Sequence, residues 1–234
     1  MTKKHIVFFT GAGMSAESGL KTFRDNDGLW EEYNVYEVAT PEAWLANPKL
    51  VLEFYNKRRK QLLSVSPNAG HKAIAELQDV FDVSVITQNI DDLHERAGQK
   101  NVLHLHGELM KVRSSNNENM IYKTKGEPTS IGDLAEDGSQ LRPHVVWFGE
   151  GVPLLEDASK IVSNADGLVI VGTSLQVYPA AGLIHATKAH TPIYYVDPAA
   201  ETVPHLPQIK LIKEKASKGI PLLAHQLVSE VGLS

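Results

Sequence analysis

Short apolar runs alternate with longer segments of helical period along this chain. IVFF at 6–9, VSVI at 83–86, LVIV at 168–171 and IYYV at 193–196 are brief, continuous and rich in β-branched and aromatic residues. That is the pattern of strands buried on both faces. Each run ends on polar or turn residues: Thr10, Thr87, Gly172-Thr173-Ser174 and Asp197. Between them the period lengthens. Thr40 reads as the N-cap of a helix with Pro41 at its first position, and a second helix begins at Asn47-Pro48. Its residues Leu50, Val51, Phe54, Leu62 and Leu63 form one apolar stripe. Further helices are expected over 69–80 and 219–231, with a last short strand at 208–212. VVWFG at 145–149 reads as a strand entered through Pro143. Strands separated by helices predict an α/β fold, a Rossmann-like doubly wound parallel sheet.

Polar chemistry gathers where the strands end, the edge at which open α/β sheets bind ligands. After the first run come Gly11 and Gly13, which tolerate a tight turn and let a pyrophosphate approach the backbone. A helix over 14–20 would then aim its N–H groups at that pyrophosphate. The spacing is not G-x-G-x-x-G, since the next glycine is Gly19, and a plain strand-to-helix turn fits the glycines equally well. DNDG at 25–28 is loop chemistry, anchored by Leu29-Trp30, and would lie over a bound dinucleotide as a lid. Gln88, Asn89 and Asp91 suit an amide and ribose hydroxyls. Thr173 and Ser174 suit phosphate or ribose, and Asp197 suits ribose hydroxyls while repelling a ribose phosphate. An ordinary Asp197-Pro198 turn is the competing reading.

His104 and His106 flank one residue in an extended segment, yet a metal pair fails for want of further ligands. Tyr55 and Arg58, three apart, share a helical face. From the residues alone, Arg58 and Arg59 read as a solvated basic face. The segment 145–149 could add an extended peptide as a further strand.

Composition narrows the class. The chain has 234 residues, 22% charged and 42% hydrophobic, enough for a full core and one or two domains. A net charge of -5 argues against nucleic acid and suits lysine-rich peptides. There is no cysteine, which removes disulfides, cysteine nucleophiles and thiolate zinc sites. Met1 to Lys4 lead straight into the first strand without a signal-peptide pattern, and no later run is long enough to span a membrane. The expectation is a cytoplasmic protein with no nucleic-acid or membrane partner.

Taken in order, GAGMSAESGLKTFR (11–24), QNIDDLHERAG (88–98), HGEL (106–109), GTSLQVYPAA (172–181) and VDP (196–198) resemble the sirtuins, NAD-consuming protein-lysine deacylases. The resemblance covers nearly the whole chain. RPHVVWFGE (142–150) and EFYNKRR (53–59) are similar to the branch that removes succinyl, malonyl and related acidic acyl groups as well as acetyl.

The resemblance implies NAD contacts at Gly11, Ala12, Gly13, Ser15, Ala16, Thr22, Phe23, Arg24 and Trp30. It implies further NAD contacts at Gln88, Asn89, Ile90, Asp91, Gly172, Thr173, Ser174, Val196, Asp197, Pro198 and Ala216. Many members have asparagine where Asp197 stands. His106 matches the family's catalytic base, with Asn89 and Asp91 beside it. Acyl-lysine would meet Val146, Trp147, Phe148, Gly149, Val177 and Tyr178, with small Ala39 leaving room for the acyl chain. Tyr55 and Arg58 match the Tyr-x-x-Arg that reads the acyl carboxylate, which reverses the solvated-face reading for Arg58. The implied reaction breaks the nicotinamide–ribose bond with the acyl oxygen, His106 then activating a ribose hydroxyl toward the acyl carbon. ADP-ribosyl transfer or NAD hydrolysis in the same pocket is the main alternative. An NAD oxidoreductase and a non-catalytic NAD or ADP-ribose sensor lie further off.

One segment departs from the pattern. In most sirtuins a module with four zinc-binding cysteines follows here, but Ser114 stands where the first cysteine would be. The expectation is a cysteine-free loop over 111–141, shorter or more mobile than usual, without zinc. A large lobe of about 1–22, 67–107 and 142–234 should carry a smaller one of about 23–66 and 108–141.

Overall fold

The computed structural model describes the backbone of residues 2–20, 29–30, 33–203, 206 and 209–232. In chain order the first elements are β1 (His5–Thr10), α1 (Gly13–Ala16), β2 (Leu29–Trp30), β3 (Tyr33–Asn34) and α2 (Val35–Val38). Next come α3 (Pro41–Ala46), α4 (Pro48–Ser64), α5 (Ala69–Glu76), β4 (Asp82–Thr87), α6 (Leu93–Arg96) and β5 (Val102–His104). The chain continues through β6 (Gly107–Ser114), β7 (Ile121–Lys123), β8 (Leu141–Val145), α7 (Leu155–Ser163) and β9 (Gly167–Val171). It closes with β10 (Ile193–Val196), β11 (Lys210–Ile212) and α8 (Ala216–Gly232).

The main sheet has the order β11-β10-β9-β1-β4-β5, and every pairing in it is parallel. Strand order reverses between β1 and β9, so the carboxyl ends of those two strands flank the crevice where such sheets take ligands. Alternate residues feed opposite cores. Ile6, Phe8, Val83, Val85 and Val169 pack under α5 and α8 with Ile74, Ile220 and Leu223. Val7, Phe9, Ile86, Leu168 and Ile170 pack under α7 with Ala158 and Val162. Each such fully buried aliphatic or aromatic side chain contributes about 1.5–3 kcal/mol. Both cores must close, which is why these strands lack polar alternation.

A third core joins α2, α3 and α4 to β6 and β8 through Val38, Phe54, Tyr55, Leu109, Val145 and Trp147. The helix starts are set as the sequence dictates: Thr40 accepts the Ala43 N–H and Asn47 that of Leu50, each with proline following. Arg58 and Arg59 are 6% and 1% exposed, so the solvated-face reading is wrong for both. Arg59 donates to the carbonyls of Leu109 (3.1 Å) and Glu127 (2.9 Å), fastening α4 to the chain that follows β5.

Several element expectations need correcting. The helix expected over 14–20 is the single turn α1, because the chain turns at once toward Gly19, whose φ of +102° ends helical geometry. The strand expected at 145–149 lies upstream, at β8; Val146–Gly149 is irregular and bonds backward, Val146 N–H to the His106 carbonyl and Phe148 N–H to that of Ala39. The last strand begins at Lys210, and α8 begins at Ala216 rather than at 219.

The segment 111–141 is not a bare loop. It contributes β7 and the end of β6 to an antiparallel sheet of order β7-β6-β8. At the position of the missing cysteine, the buried Ser114 hydroxyl donates to Asp137 (2.6 Å) and lies 2.7 Å from the Ser139 hydroxyl. It also accepts the N–H groups of Asn116 (3.0 Å) and Asn117 (2.8 Å). One small polar atom therefore ties both ends of the excursion together. Ser114→Ala should strand two backbone donors, cost about 1–3 kcal/mol and lower Tm by about 2–10 °C. A melting curve unchanged within a degree would show that the knot contributes nothing.

Candidate active site

A cavity of about 310 Å³ opens at the β1/β9 crevice. Gly13 lines it while Gly11 is buried and does not, and both are glycine for a reason the sequence did not show. A Cβ on Gly11 would lie 2.7 Å from the Thr173 Cβ, and one on Gly13 would lie 2.7 Å from the Gly172 Cα. The space they leave is filled by the turn after β9. Gly172 is itself at φ +60°, and a Cβ there would stand 2.4 Å from the Met14 nitrogen. Three glycines thus let two strand ends close on each other and bring Ala12, Ser15, Thr173 and Ser174 to one cavity wall.

The turn after β4 supplies the polar wall. Gln88 N–H continues the β1 ladder to the Thr10 carbonyl, and its side-chain oxygen accepts from Thr173 Oγ1 at 2.9 Å. Asn89 Nδ2 donates to the Gly11 carbonyl (3.0 Å) and to Ser15 Oγ (3.2 Å). Ser15 Oγ donates to Asp91 Oδ2 at 2.9 Å, and Leu93 N–H meets the other oxygen at 3.1 Å. Burial raises the Asp91 carboxyl while those two donors work to lower it.

Two histidines grip consecutive carbonyls of this turn. His106 Nδ1 lies 2.9 Å from the Gln88 oxygen and His104 Nδ1 lies 3.0 Å from that of Asn89. A carbonyl only accepts, so both Nδ1 atoms carry hydrogen. Burial depresses His106, with the Gln88 carbonyl opposing it, so the ring is neutral near pH 7 with its lone pair on Nε2. Burial would also depress His104, but the Glu95 carboxylate at 2.7 Å outweighs it and holds that ring above its ordinary value. The two rings therefore do different work: His104, held between the Asn89 carbonyl and the Glu95 carboxylate, is a brace whose protonated form is favoured, whereas His106 lines the cavity as a neutral base. Among the described residues, no group of three His, Cys, Asp or Glu could hold a metal ion.

The opposite wall comes from α2 to α4 and the 145–150 segment. Ala39, Tyr55, Arg58 and Trp147 are buried and line the cavity, joined by Val146, Phe148 and Gly149. Val177 and Tyr178 stand exposed at its mouth. Ile90 lines the wall beside Leu20 and Leu109, two apolar residues that lie within the motifs but were not expected in the site.

Some expected residues stand apart. Ala16 is exposed, Val196 is buried in the sheet and Ala216 is buried at the start of α8. None of these three lines the cavity. Pro198 is exposed, and Asp197 is buried with its carboxylate accepting the Ala199 N–H at 2.8 Å, a turn geometry. Thr22, Phe23 and Arg24 lie outside the described residues, as does the proposed lid at 25–28; for Trp30 only the backbone is described.

The motifs also did not single out His71 or Glu150 as site residues. His71 Nδ1 accepts the Asn68 N–H and its Nε2 reaches Ser15 Oγ at 3.5 Å; burial lowers its pKa to about 4, so it stays neutral. A histidine three places after an Asn N-cap was the available sign. Glu150 lines the cavity while accepting two bonds from Arg142, at 2.8 and 3.2 Å.

Comparison with known proteins agrees with this geometry. The profile described as "Sir2 family" matches residues 11–179. A protein of Helicobacter pylori named NAD-dependent protein deacylase is 53% identical over 96% of this chain and 98% of its own length. One of the same name from Bacteroides thetaiotaomicron is 51% identical over 96% of this chain and 98% of its own. Among solved structures, a Sir2 homologue mutant in complex with ADP ribose superposes with a TM-score of 0.88 at 38% identity, covering 99% of this chain and 95% of that one. A Sir2 homolog–NAD complex gives 0.84 at 39% identity, over 98% and 91%. This chain belongs to the Sir2 family.

Proposed function

We propose that this protein is an NAD-dependent protein deacylase that removes acidic acyl groups, succinyl and malonyl, from lysine side chains and also accepts acetyl. The observation that carries the reading is the meeting of His106 with Tyr55 and Arg58 in one cavity at the strand-order reversal. The donor set fits a dinucleotide: the amides of Gln88 and Asn89 and the hydroxyls of Ser15, Thr173 and Ser174 suit an amide, ribose and phosphate. Those residues would hold NAD, with Asp197, Pro198 and Ala216 toward its far end. When bound, NAD supplies an electrophilic sugar carbon and nicotinamide as leaving group.

The protein's own part is positioning and proton handling. His106 Nε2 takes a proton from a hydroxyl presented to it, and the Gln88 carbonyl keeps its tautomer fixed. Asp91, buried and braced by Ser15, supplies negative potential where positive charge develops. Asn89 is held at four points, two on its side-chain amide, one on its carbonyl and one on its backbone N–H, which donates to Thr87 Oγ1, so it orients without reorganising. Val146 to Gly149, with Val177 and Tyr178, would take the extended peptide, and Arg58 with Tyr55 the acyl carboxylate. Both substrates would meet between a Rossmann-like lobe of about 1–22, 67–107 and 142–234 and a smaller lobe of about 23–66 and 108–141.

Acylated proteins are the proposed partners, nucleic acid and membrane are not, and the proposed location is the cytoplasm, where NAD is held. The net charge of -5 supports the first two points, and among the described residues no helix is long and apolar enough to cross a membrane.

Incubation with NAD and an acyl-lysine peptide should lower the peptide mass by the acyl group and release one nicotinamide per acyl group lost. A peptide that gains ADP-ribose, or nicotinamide released with the peptide unchanged, would instead indicate ADP-ribosyl transfer or NAD hydrolysis.

A further inference from the structure

We infer that Trp147 is a specificity-positioning residue: by donating its indole N–H to the Tyr55 oxygen, it leaves the phenolic O–H as a donor facing the acyl chain. The inference rests on the acidic-acyl reading above and deepens it. Trp147 Nε1 lies 3.0 Å from the Tyr55 hydroxyl oxygen, and both side chains are buried. An indole nitrogen only donates, so the Tyr55 oxygen must be the acceptor in this pair. The single hydroxyl hydrogen must then point elsewhere. Among the described residues it meets no acceptor, and Tyr55 lines the cavity. Burial lifts the Tyr55 phenol above its ordinary value, so that hydrogen is always present at working pH.

The indole has little freedom to do otherwise. The Arg142 guanidinium lies 3.4 Å from the centroid of the Trp147 ring, and the Trp44 ring lies 5.9 Å from it. Arg142 is itself held by both Glu150 oxygens and by the Val145 carbonyl at 3.1 Å. The same Glu150 accepts the Trp147 backbone N–H at 2.8 Å. Ring and backbone of Trp147 are thus fixed through one carboxylate.

The consequence is chemical. With its oxygen already engaged, Tyr55 presents a donor, and Arg58 carries donors only. A terminal carboxylate satisfies both. A terminal methyl accepts from neither and leaves the Tyr55 hydroxyl hydrogen without an acceptor, which favours a dicarboxylic acyl group over acetyl.

The test is a double-mutant cycle on the ratio of kcat/KM for succinyl-lysine over acetyl-lysine peptides. Trp147→Phe keeps the ring but removes the N–H, and should lower the ratio about three- to tenfold. In a Tyr55→Phe background the same change should have no effect on the ratio. Equal effects in both backgrounds would make Trp147 a packing residue and overturn the inference. Arg58→Met run beside them separates the two levels. If the parent ratio is no higher than that of Arg58→Met, the acidic-acyl reading fails and this inference with it. If Arg58→Met lowers the ratio but the cycle is additive, only the role of Trp147 fails. Should Trp147→Phe not fold, benzothienylalanine at 147 replaces the N–H by sulfur in the same ring outline, and the same coupling is expected.

Discussion

His106→Ala should lower deacylation by about two to four powers of ten while NAD binding survives. The ring is held by one hydrogen bond, Nδ1–H to the Gln88 carbonyl, and bonds to no other side chain among the described residues. Its removal therefore leaves the Asn89, Ser15 and Asp91 array standing, since those three are tied to Gly11, to one another and to Leu93. The pH dependence has a definite sign. A base must be deprotonated, and burial places His106 below its ordinary value of about 6.5. The rate should therefore be complete at pH 7 and fall only as pH drops below that range. Turnover by the variant comparable to the parent's, or a parent rate already falling between pH 8 and 7, would remove His106 from the base role.

The large sheet was legible because its strands are buried on both faces, which forces continuous apolar runs that no surface element needs. The small sheet was not. β8 reads LRPHV, which looks unlike a strand, yet β8 is the edge of its sheet, where a proline costs no ladder bond. β7 has only three residues, two of them exposed, so it carries no alternation to read. Arg59 illustrates a different limit. Its burial depends on carbonyls at Leu109 and Glu127, far along the chain, and nothing within α4 announces them. Gly11 and Gly13 were read as tolerating a tight turn and letting a pyrophosphate approach; the structure adds a further demand for glycine, since a Cβ on either would meet Thr173 or Gly172, about 160 residues further along the chain. The polar site residues on the turns after β1, β4 and β9 were readable by contrast, because a strand end fixes where its next few residues stand. Glu150 was not, since its importance lies in the arginines at 113 and 142 that surround it.

Arg58→Met should lower kcat/KM on a succinyl-lysine peptide about ten- to a hundredfold, with a much smaller fall on the acetyl-lysine peptide of the same sequence. Arg58 and Tyr55 lie one turn apart on α4, both buried, and both line the cavity beside small Ala39. A charge-assisted contact to a carboxylate contributes about 1.5–3 kcal/mol, which sets that factor. Methionine keeps the length and apolar stem of the side chain, so α4 keeps its packing, while the guanidinium's contact with the Phe54 ring, 6.0 Å to the centroid, goes with the charge. Acetyl offers no carboxylate to lose. An equal fall on both peptides would make Arg58 a structural residue of α4. The measurement that bears most directly on the whole account is kcat/KM for the parent on this succinyl and acetyl pair with NAD. The account predicts NAD-dependent loss of both acyl groups, with succinyl favoured. A parent that removes acetyl but leaves succinyl-lysine untouched would contradict it.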